Sequence, residues 1–389
     1  MSRLSRRELG RLAAAFAVAA PGVPATARQS PAQPAYIGPL TGVESGLEDR
    51  QFDPVAFAHL LYSGAPRQLR FQSKTRGDAD AWQKTLRAKV VELIGGFPER
   101  RPPLRPRVLE TRSYPKYRRE KVIFESQPGS TVLAYVLVPV GTASPAPSVI
   151  CLPGHGRGVD DIVGIDERGN DRTERAGYAY DFAIQVAEAG LAAVAIEQMG
   201  FGCRRDPRNA SRGLAQKGCD PAAGMALMLG QTLIGWRVWD VIQTLAYIST
   251  RPDLAADRVG CMGISGGGTT ALFSAAIEPR IKAVMVSGYL NTFKDSIGTL
   301  NHCMDNFVPG ILNWAEMHDV AGLIAPRPFF AESGEKDNIF PVEASRVSFA
   351  QVRQIYDVFG AADRIEHEIF PGDHSFWGRR GIPFLVKHL

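Results

Sequence analysis

The sequence predicts an α/β fold in which a mostly parallel central sheet carries helices on both faces. From Ser148 onward, short apolar runs of strand length alternate with longer runs of helical spacing, a pattern typical of a parallel sheet covered by helices. Residues 263–267 read Gly-Ile-Ser-Gly-Gly between a strand pattern and a helix pattern, which indicates a sharp turn. Two long segments without the alternation, Gly200–Gly230 and Asn291–Asp319, are interpreted as cap segments that line a pocket.

The N-terminus has the pattern of an export signal over residues 1–27. Residues 5–9 read Ser-Arg-Arg-Glu-Leu, and an apolar stretch covers Leu9–Ala20. Residues 25–27 read Ala-Thr-Ala, which matches the small residues found at the cleavage site of a signal peptide. The arginine pair resembles a twin-arginine signal but departs from it at two positions, so that twin-arginine and Sec export both remain open. We predict an exported protein, periplasmic or extracellular, whose mature chain begins at Arg28.

Two further segments precede the main domain. Residues 28–50 are rich in Pro, Gly and Ala and are expected to be flexible. Residues 51–118 are predicted to form a helical N-terminal extension followed by a linker, which is rich in Pro and Arg over residues 98–115. The helical patterns of the extension are Phe52–Tyr62 and Ala79–Ile94. We expect the extension to pack on a main, catalytic domain that spans residues 119–389.

The main domain opens with two strand patterns and then alternates. The predicted strands are Lys121–Glu125, Val132–Val140, Ser148–Leu152, Ala192–Ile196, Arg258–Ile264, Ile281–Ser287, Pro328–Glu332 and Ile365–Phe370. The predicted helices are Tyr180–Ala189, Gln231–Thr250, Thr269–Ile277 and Glu343–Phe359, with one more at the C-terminus. In a parallel sheet of this kind the chemistry gathers beyond the carboxyl ends of the strands, which is where we look for functional residues.

Composition and charge exclude several classes of function. The formal net charge of +5 is partly due to the arginines of the signal, and the basic residues near position 100 are interrupted by prolines, so we predict no nucleic-acid binding. Outside the signal, no apolar run reaches the length of about 18 residues expected of a membrane-spanning helix. We therefore predict no stable membrane insertion after signal removal, and we assign no oligomeric state.

The five cysteines indicate neither a metal site nor a cofactor. Cys151 and Cys261 lie in apolar strand patterns and are interpreted as buried side chains. Cys203 and Cys219 flank a polar loop and could pair in an oxidising compartment, although the sequence does not determine the pairing. No Cys/His grouping has the spacing of metal ligands, so we predict no metal and no cofactor.

Ser265 is the strongest candidate nucleophile. A serine at the apex of a strand–turn–helix exposes its hydroxyl, and the glycines two residues before and after it allow the turn to close. Serine needs a base, and the base needs an orienting carboxylate. His374 follows the last predicted strand, and Asp337 follows the preceding one, with Glu335 as the alternative acid. The chain order Ser265, Asp337, His374 is the one expected for a nucleophile elbow.

Acyl transfer also requires hydrogen-bond donors for the oxyanion. One predicted donor is the backbone N–H of Gly266, directly after the nucleophile. We expect the second in the loop after the strand Ser148–Leu152, with the N–H of Arg157 preferred and that of Gly156 next, and we interpret His155 as a structural histidine. Candidate pocket residues, each of which could equally belong to the core, are Phe201, Met225, Trp236 and Trp314.

From about Trp82 to the end, the chain resembles the α/β-hydrolase superfamily, in particular its bacterial acetyl-xylan-esterase-like and dienelactone-hydrolase-like branch. The motifs that carry the resemblance are residues 152–156, 235–240, 263–268, 325–328, 334–337 and 371–374. The resemblance implies an α/β-hydrolase fold with a Ser-Asp-His triad. Dienelactone hydrolases have Cys at the elbow, so Ser265 argues against that activity. Glucuronoyl esterases have a basic residue after the serine, where this chain has Gly266.

The leading hypothesis is a secreted serine esterase that acts on small carboxylic esters, with acetyl esters of plant cell-wall sugars as the expected substrates. A peptidase or amidase with the same triad is an alternative, although the residues before the main domain are too few for the β-propeller of prolyl-oligopeptidase-like enzymes. A glucuronoyl-type esterase or a catalytically silent glycan-binding protein would also be compatible with the fold. The motifs are specific for the fold and the triad, and not for the acyl group or the alcohol.

Overall fold

A nine-stranded sheet forms the centre of the fold in the computed structural model, which describes residues 52–210, 218–300 and 302–389. The strands are β1 (Arg107–Ser113), β2 (Tyr117–Gln127), β3 (Ser130–Pro139), β4 (Ala146–Leu152), β5 (Ala192–Ile196), β6 (Leu254–Ile264), β7 (Ile281–Ser287), β8 (Phe329–Gly334) and β9 (Ile365–Phe370). The predicted export signal (residues 1–27) and flexible segment (residues 28–50) lie outside the described residues.

The strand order is β1-β2-β3-β5-β4-β6-β7-β8-β9. The six strands β5, β4, β6, β7, β8 and β9 are parallel to one another. Strands β1, β2 and β3 extend the sheet beyond β5, and each of them pairs antiparallel with the next. The carboxyl ends of the parallel strands therefore meet at one edge of the sheet. This arrangement confirms the predicted α/β fold with a mostly parallel sheet.

The helices cover both faces of this sheet, as predicted. They are α1 (Pro54–Ser63), α2 (Arg76–Leu93), α3 (Phe182–Glu188), α4 (Pro207–Ala210), α5 (Asp220–Met228), α6 (Leu233–Ile248), α7 (Gly266–Ile277), α8 (Met317–Gly322), α9 (Val342–Val358) and α10 (Gly381–His388). Successive side chains of a strand point to opposite faces. Along β4, Ile150 and Leu152 thus join a core with α2, α6, α7 and α9, while Val149 and Cys151 join one with α3 and α10.

The N-terminal part of the chain differs from the prediction at β1. This strand falls within residues 98–115, which we predicted to be linker, and it pairs with β2 at the edge of the sheet. Its side chains are nearly all exposed, so the sequence lacks the apolar alternation that would indicate a strand. The chain from Asp53 to Leu389 forms a single compact unit.

The two helices of the predicted extension differ in burial. Helix α1 has no buried residue, whereas α2 buries Trp82, Leu86 and Val90 in the main core. The capping residues of both helices are visible in the sequence: the side chain of Asp53 accepts the N–H of Val55, and that of Thr75 accepts the N–H of Asp78. Within the described residues, no helix combines the length and apolarity needed to cross a bilayer.

Candidate active site

Ser265 occupies the turn between β6 and α7, with φ 56° and ψ −122°. A positive φ strains the backbone of any residue other than glycine, and such strain is concentrated at functional sites. A Cβ atom added to Gly263 would lie 2.3 Å from the carbonyl oxygen of Gly267, and one added to Gly267 would lie 2.0 Å from the carbonyl oxygen of Leu152. Only glycine fits at both positions, as predicted from the elbow motif.

His374 and Asp337 lie beside one another at the carboxyl edge of the sheet. Asp337 follows β8 and His374 follows β9, and Nδ1 of His374 is 2.7 Å from Oδ2 of Asp337. The other carboxylate oxygen, Oδ1, accepts the backbone N–H groups of Ile339 at 2.8 Å and Phe340 at 2.9 Å. Asp337 is buried, whereas the alternative acid Glu335 is exposed. The geometry therefore selects Asp337 as the partner of His374.

The opposite nitrogen of the imidazole, Nε2 of His374, is buried and has no hydrogen-bond partner within the described residues. The rings of Phe340 and Tyr178 flank the imidazole, with centroid separations of 5.6 Å and 6.1 Å and interplanar angles of 24° and 18°. These rings restrict rotation of the imidazole, which leaves Nε2 as the nitrogen available to a hydroxyl. Sequence reasoning missed both aromatic residues because neither belongs to a motif.

Gly288 is a further residue that sequence reasoning missed. It follows β7, has φ +53°, and a Cβ atom added there would lie 3.1 Å from Cε1 of His374 and 3.7 Å from Oδ2 of Asp337. A side chain at this position would press on the imidazole. The signal available in the sequence was a glycine directly after the strand that neighbours the nucleophile strand.

Ser265 and His374 line a common cavity with a volume of about 380 Å³. The other lining residues are His155, Tyr178, Leu300, His302, Cys303, Asn306, Ile339 and Phe340. The segment Asn291–Asp319 therefore contributes to the pocket, as predicted. The segment Gly200–Gly230 contributes no lining residue among its described positions, so the prediction for that segment is wrong for the part described.

The predicted pocket residues do not line this cavity. Phe201 packs behind it, where its ring is 4.5 Å from that of His155 and its Cζ would lie 2.9 Å from a Cβ on Gly266. The other three candidates lie elsewhere. Met225 is exposed on α5, Trp236 on α6 donates to the side chain of Gln231, and Trp314 packs under the ammonium group of Lys89. Large apolar residues in a core, in a pocket and on the surface have the same sequence pattern, which explains the error.

Of the predicted oxyanion donors, Gly266 is the first residue of α7, where backbone N–H groups lack partners within the helix. The N–H of Arg157 instead donates to Oδ2 of Asp161 at 2.9 Å, so the preference for Arg157 is wrong. A short 3₁₀ turn over Gly158–Asp161 brings this carboxylate to the amide. Gly156, the second choice, remains the predicted donor in this loop. The loop lies close to the nucleophile, since a Cβ on Gly154 would be 3.1 Å from Cβ of Ser265.

Buried carboxylates anchor two of the loops around the site. Glu332, at the end of β8, accepts the hydroxyl of Ser287 at 2.6 Å and the backbone N–H groups of Trp377 at 3.0 Å and Gly378 at 2.9 Å. Burial raises the pKa of the Glu332 carboxyl to about 7. Because Trp377 and Gly378 follow His374 closely, Glu332 ties the loop of the base to the sheet.

Glu197 has the corresponding place after β5. It accepts the N–H of Val159 at 3.1 Å, and burial raises the pKa of its carboxyl to about 8. A Cβ added to Gly158 or Gly202 would lie about 2 Å from the carboxylate, so both glycines are required where these loops pass Glu197. Sequence reasoning assigned no role to either buried glutamate.

The cysteines are all free thiols, and the pairing of Cys203 with Cys219 considered from the sequence does not occur. Cys203 is exposed, whereas Cys219 is buried. Cys219 instead lies in a cluster with His155, Cys303 and Asp305. Burial lowers the pKa of the His155 imidazole, but the Asp305 carboxylate raises it, and the net shift is upward.

The model of the Abhydrolase family matches residues 58–370. This is more than half of the chain, so the chain belongs to the Abhydrolase family and is a hydrolase. The nucleophile turn and the strand order described above are those of an α/β-hydrolase fold.

One sequence relative agrees with this assignment, and two solved structures share the fold. The chain is 27% identical over 283 residues to a Bacillus subtilis (strain 168) protein described as hydrolase YtaP, covering 71% of this chain and 89% of the relative. A Bacteroides fragilis structure described as an acetyl xylan esterase aligns with a TM-score of 0.74 at 20% identity, covering 87% and 96% of the two chains. A glucuronoyl esterase from Solibacter usitatus aligns with a TM-score of 0.62 at 16% identity, covering 83% and 97%.

Proposed function

We propose that the protein is an exported serine esterase that hydrolyses small carboxylic esters, with acetyl esters of plant cell-wall sugars as the natural substrate class. The observation that carries the proposal is the 2.7 Å hydrogen bond between His374 and Asp337 beside a cavity that Ser265 also lines. The likeness to a structure described as an acetyl xylan esterase supports acetate as the acyl group.

In the proposed reaction, Oγ of Ser265 attacks the ester carbonyl carbon while Nε2 of His374 takes the hydroxyl proton. Asp337 holds the imidazole with Nδ1–H directed at its carboxylate and stabilises the imidazolium. The oxyanion of the tetrahedral intermediate accepts the N–H of Gly266, at the positive end of α7, and that of Gly156. His374 then protonates the leaving alcohol, and the acyl group remains on Ser265.

Water completes the cycle. His374 takes a proton from the water, whose oxygen attacks the acyl carbonyl carbon, and the bond to Oγ of Ser265 breaks as the serine regains its proton. The products are a carboxylic acid and the free enzyme. Removal of any member of such a triad costs several orders of magnitude in rate because the three groups act as a unit.

The cavity supports a small substrate. Its volume of about 380 Å³ lies near the lower end of the range of about 300–1,000 Å³ found for ligand pockets. Leu300, Ile339 and Phe340 line it with apolar surface suited to a short acyl chain, and His302 adds a polar group that can bond to a sugar hydroxyl.

The test is hydrolysis of p-nitrophenyl esters from acetate to octanoate by the wild type and by Ser265→Ala. We expect acetate to be the fastest substrate and Ser265→Ala to lower kcat by at least about 10³-fold. Ser274→Ala is the matched control, because Ser274 is buried in α7, the helix that follows Ser265, and its hydroxyl has no partner within the described residues. A loss of less than tenfold in Ser265→Ala, or an equal loss in both variants, would contradict the proposal.

Three types of substrate separate the candidate activities. We expect release of acetate from acetylated xylo-oligosaccharides, and no cleavage of a methyl glucuronate ester or of peptide anilides. Faster cleavage of the glucuronate ester would assign a glucuronoyl-type esterase, and faster cleavage of the anilides would assign a peptidase. Glycan binding by folded wild type that turns over none of these substrates would favour the silent binding protein.

Export is proposed from the residue pattern of positions 1–27 alone. N-terminal sequencing of the protein recovered outside the cytoplasm should begin at Arg28. Replacing the arginine pair by Arg6→Lys and Arg7→Lys distinguishes the routes, since loss of export indicates the twin-arginine route and retention indicates Sec. Recovery of the full-length chain in the cytoplasm alone would reject the proposed export.

A further inference from the structure

Four side chains with metal-binding atoms converge next to the active-site cavity. They are His155, Cys219, Cys303 and Asp305, and their ligand atoms all lie within 4.8 Å of one another. They come from three distant parts of the chain: the loop after β4, the residue before α5, and the segment between β7 and α8. Cys219, Cys303 and Asp305 are buried and His155 is partly exposed, and two of the four residues, His155 and Cys303, also line the cavity.

Two distances within the cluster match a tetrahedral coordination shell. Nε2 of His155 is 3.5 Å from Oδ2 of Asp305 and 3.8 Å from Sγ of Cys219, and the sulfur atoms of Cys219 and Cys303 lie within 4.8 Å of one another. Zinc bonds of about 2.0–2.3 Å to nitrogen, oxygen and sulfur place neighbouring tetrahedral ligands about 3.3–3.8 Å apart. The side chains are therefore arranged at ligand-to-ligand distances.

We propose that His155, Cys219, Cys303 and Asp305 form a structural zinc site. Two thiolates, one imidazole and one carboxylate are ligands typical of four-coordinate Zn²⁺, and the sulfur pair disfavours Mg²⁺ and Ca²⁺, which prefer oxygen. All four positions are filled by protein atoms, so the site leaves no position for substrate and serves structure rather than hydrolysis.

The surroundings of the cluster suit this ligand set. Arg237 is buried and its Nη1 lies 2.5 Å from Oδ2 of Asp305, while Oδ1 of Asp305 accepts the side-chain N–H of Asn306 at 3.0 Å. Such outer partners orient metal-ligating carboxylates. Zn²⁺ would displace two thiol protons, so the net charge of the buried group is the same with and without the metal. Arg237 balances the Asp305 charge in both states.

The site would join the catalytic loop to both cap segments. His155 directly precedes Gly156, the predicted oxyanion donor, and its Nδ1 would lie 3.3 Å from a Cβ on Gly266. Cys219 belongs to the segment Gly200–Gly230, and Cys303 belongs to Asn291–Asp319. Because each cysteine comes from a different loop, and the histidine from a third, the metal would restrain three loops at once.

The experiment measures metal uptake by the full chain. The reduced protein is stripped with a chelator, incubated with Zn²⁺, desalted and assayed for zinc by mass spectrometry. We expect about one zinc per chain for a structural site. A second aliquot receives Co²⁺, and we expect a thiolate-to-cobalt charge-transfer band with intense visible bands of a four-coordinate site. The cobalt spectrum needs only wild-type protein, so it does not depend on the folding of any variant.

Cysteine variants locate the site. Cys219→Ser and Cys303→Ser should lower zinc content at least tenfold and remove the charge-transfer band. Cys203→Ser, which changes an exposed thiol outside the cluster, should behave as wild type. Added zinc should raise the unfolding midpoint of wild type and Cys203→Ser and leave that of Cys219→Ser unchanged.

Two results would overturn the proposal. The first is that folded wild-type protein takes up no zinc and shows no charge-transfer band, or that all variants take up as much zinc as the wild type. The second is a disulfide between Cys219 and Cys303 that peptide mapping detects in protein isolated without reductant. This disulfide would have to persist when zinc is present during expression. Either result would leave the proposed esterase activity untouched, because that activity is measured separately with Ser265→Ala.

Discussion

At the residue scale, two acids compete for the place beside His374, and burial separates them. Asp337 is buried and receives two backbone N–H groups on the oxygen that does not face the imidazole, while Glu335 is exposed two residues earlier. Their spacing in the sequence allowed either to be the acid. The carboxylate that is held in one orientation can fix the tautomer of the imidazole.

We therefore predict that Asp337→Asn lowers kcat for p-nitrophenyl acetate by about 10³–10⁴-fold, because the amide would favour the wrong tautomer of His374. Glu335→Gln serves as the control and should retain the wild-type rate. Steady-state kinetics on both purified variants provide the measurement. Wild-type activity in Asp337→Asn would remove Asp337 from the proposed mechanism.

Gly288 leaves room for the imidazole of His374 because it has no side chain. Its φ of +53° strains any other residue, and an added Cβ would lie 3.1 Å from Cε1 of His374. We predict that Gly288→Ala lowers kcat at least tenfold, since misplacing a catalytic group by a fraction of an ångström is costly.

The matched control for Gly288→Ala is Gly129→Ala in the β2–β3 turn. Gly129 also has a positive φ, +81°, but an added Cβ would meet nothing within 4 Å. It should lose about 1 kcal/mol of unfolding free energy from backbone strain and keep its activity. Chemical denaturation and kinetics on both variants separate strain from displacement of the imidazole. Equal activity in the two variants would contradict the prediction.

At the scale of elements, the loops of the site are attached to strand ends by buried carboxyl groups. Glu332 connects β8 with the loop that follows His374, and Glu197 connects β5 with the loop that follows β4. Burial raises the pKa of both carboxyl groups.

This arrangement predicts a pH dependence of stability. Burial raises the pKa of Glu332 from 4.5 to about 7, so between these values the folded state binds more protons than the unfolded state. The contribution of Glu332 to the unfolding free energy is about 3 kcal/mol. It is fully present below about pH 4.5 and is lost as the pH rises through about 7.

Denaturant titrations between pH 5 and pH 8 test this expectation. Over that range, the unfolding free energy of Glu332→Gln should fall by about 3 kcal/mol less than that of the wild type. This expectation holds whatever the variant's stability at pH 5. Glu335→Gln, a change at an exposed neighbour, should keep the wild-type slope. Parallel curves for wild type and Glu332→Gln would show that the carboxyl does not titrate in this range.

At the scale of the whole molecule, α2 belongs to the core of the hydrolase unit. Trp82 and Leu86 join the same hydrophobic cluster as β4, α6 and α7, and the carbonyls of Gly322 and Ala325 accept the side-chain amide of Gln83. A helix predicted as an extension thus completes one face of the sheet.

We predict that Leu86→Ala lowers the unfolding free energy by about 2–5 kcal/mol, as expected for a fully buried leucine. Val55→Ala, on the exposed α1, should change it by no more than about 0.5 kcal/mol. Far-ultraviolet circular dichroism and tryptophan fluorescence should report one coincident transition. Separate transitions, with α2 melting first, would indicate that the extension is independent of the core.

Much of the fold was predictable because its signals are local. The strands β5 and β7 have the predicted bounds, since short apolar runs between turns encode buried parallel strands. The partly buried edge strand β9 also has its predicted bounds. The nucleophile turn was predictable for the same reason, because the steric need for Gly263 and Gly267 arises within five residues of chain. The residues that match the Abhydrolase family model, 58–370, include this turn.

What depended on contacts between distant segments was decided only in three dimensions. The exposed strand β1 exists because β2 offers a pairing edge, and the amide of Arg157 is occupied because a 3₁₀ turn returns Asp161 to it. The place of Gly288 beside the imidazole and the convergence of His155 with Cys219 have no local sequence signature. Local sterics and periodicity are encoded in neighbouring residues, whereas the packing of loops at the sheet edge is set by the chain as a whole.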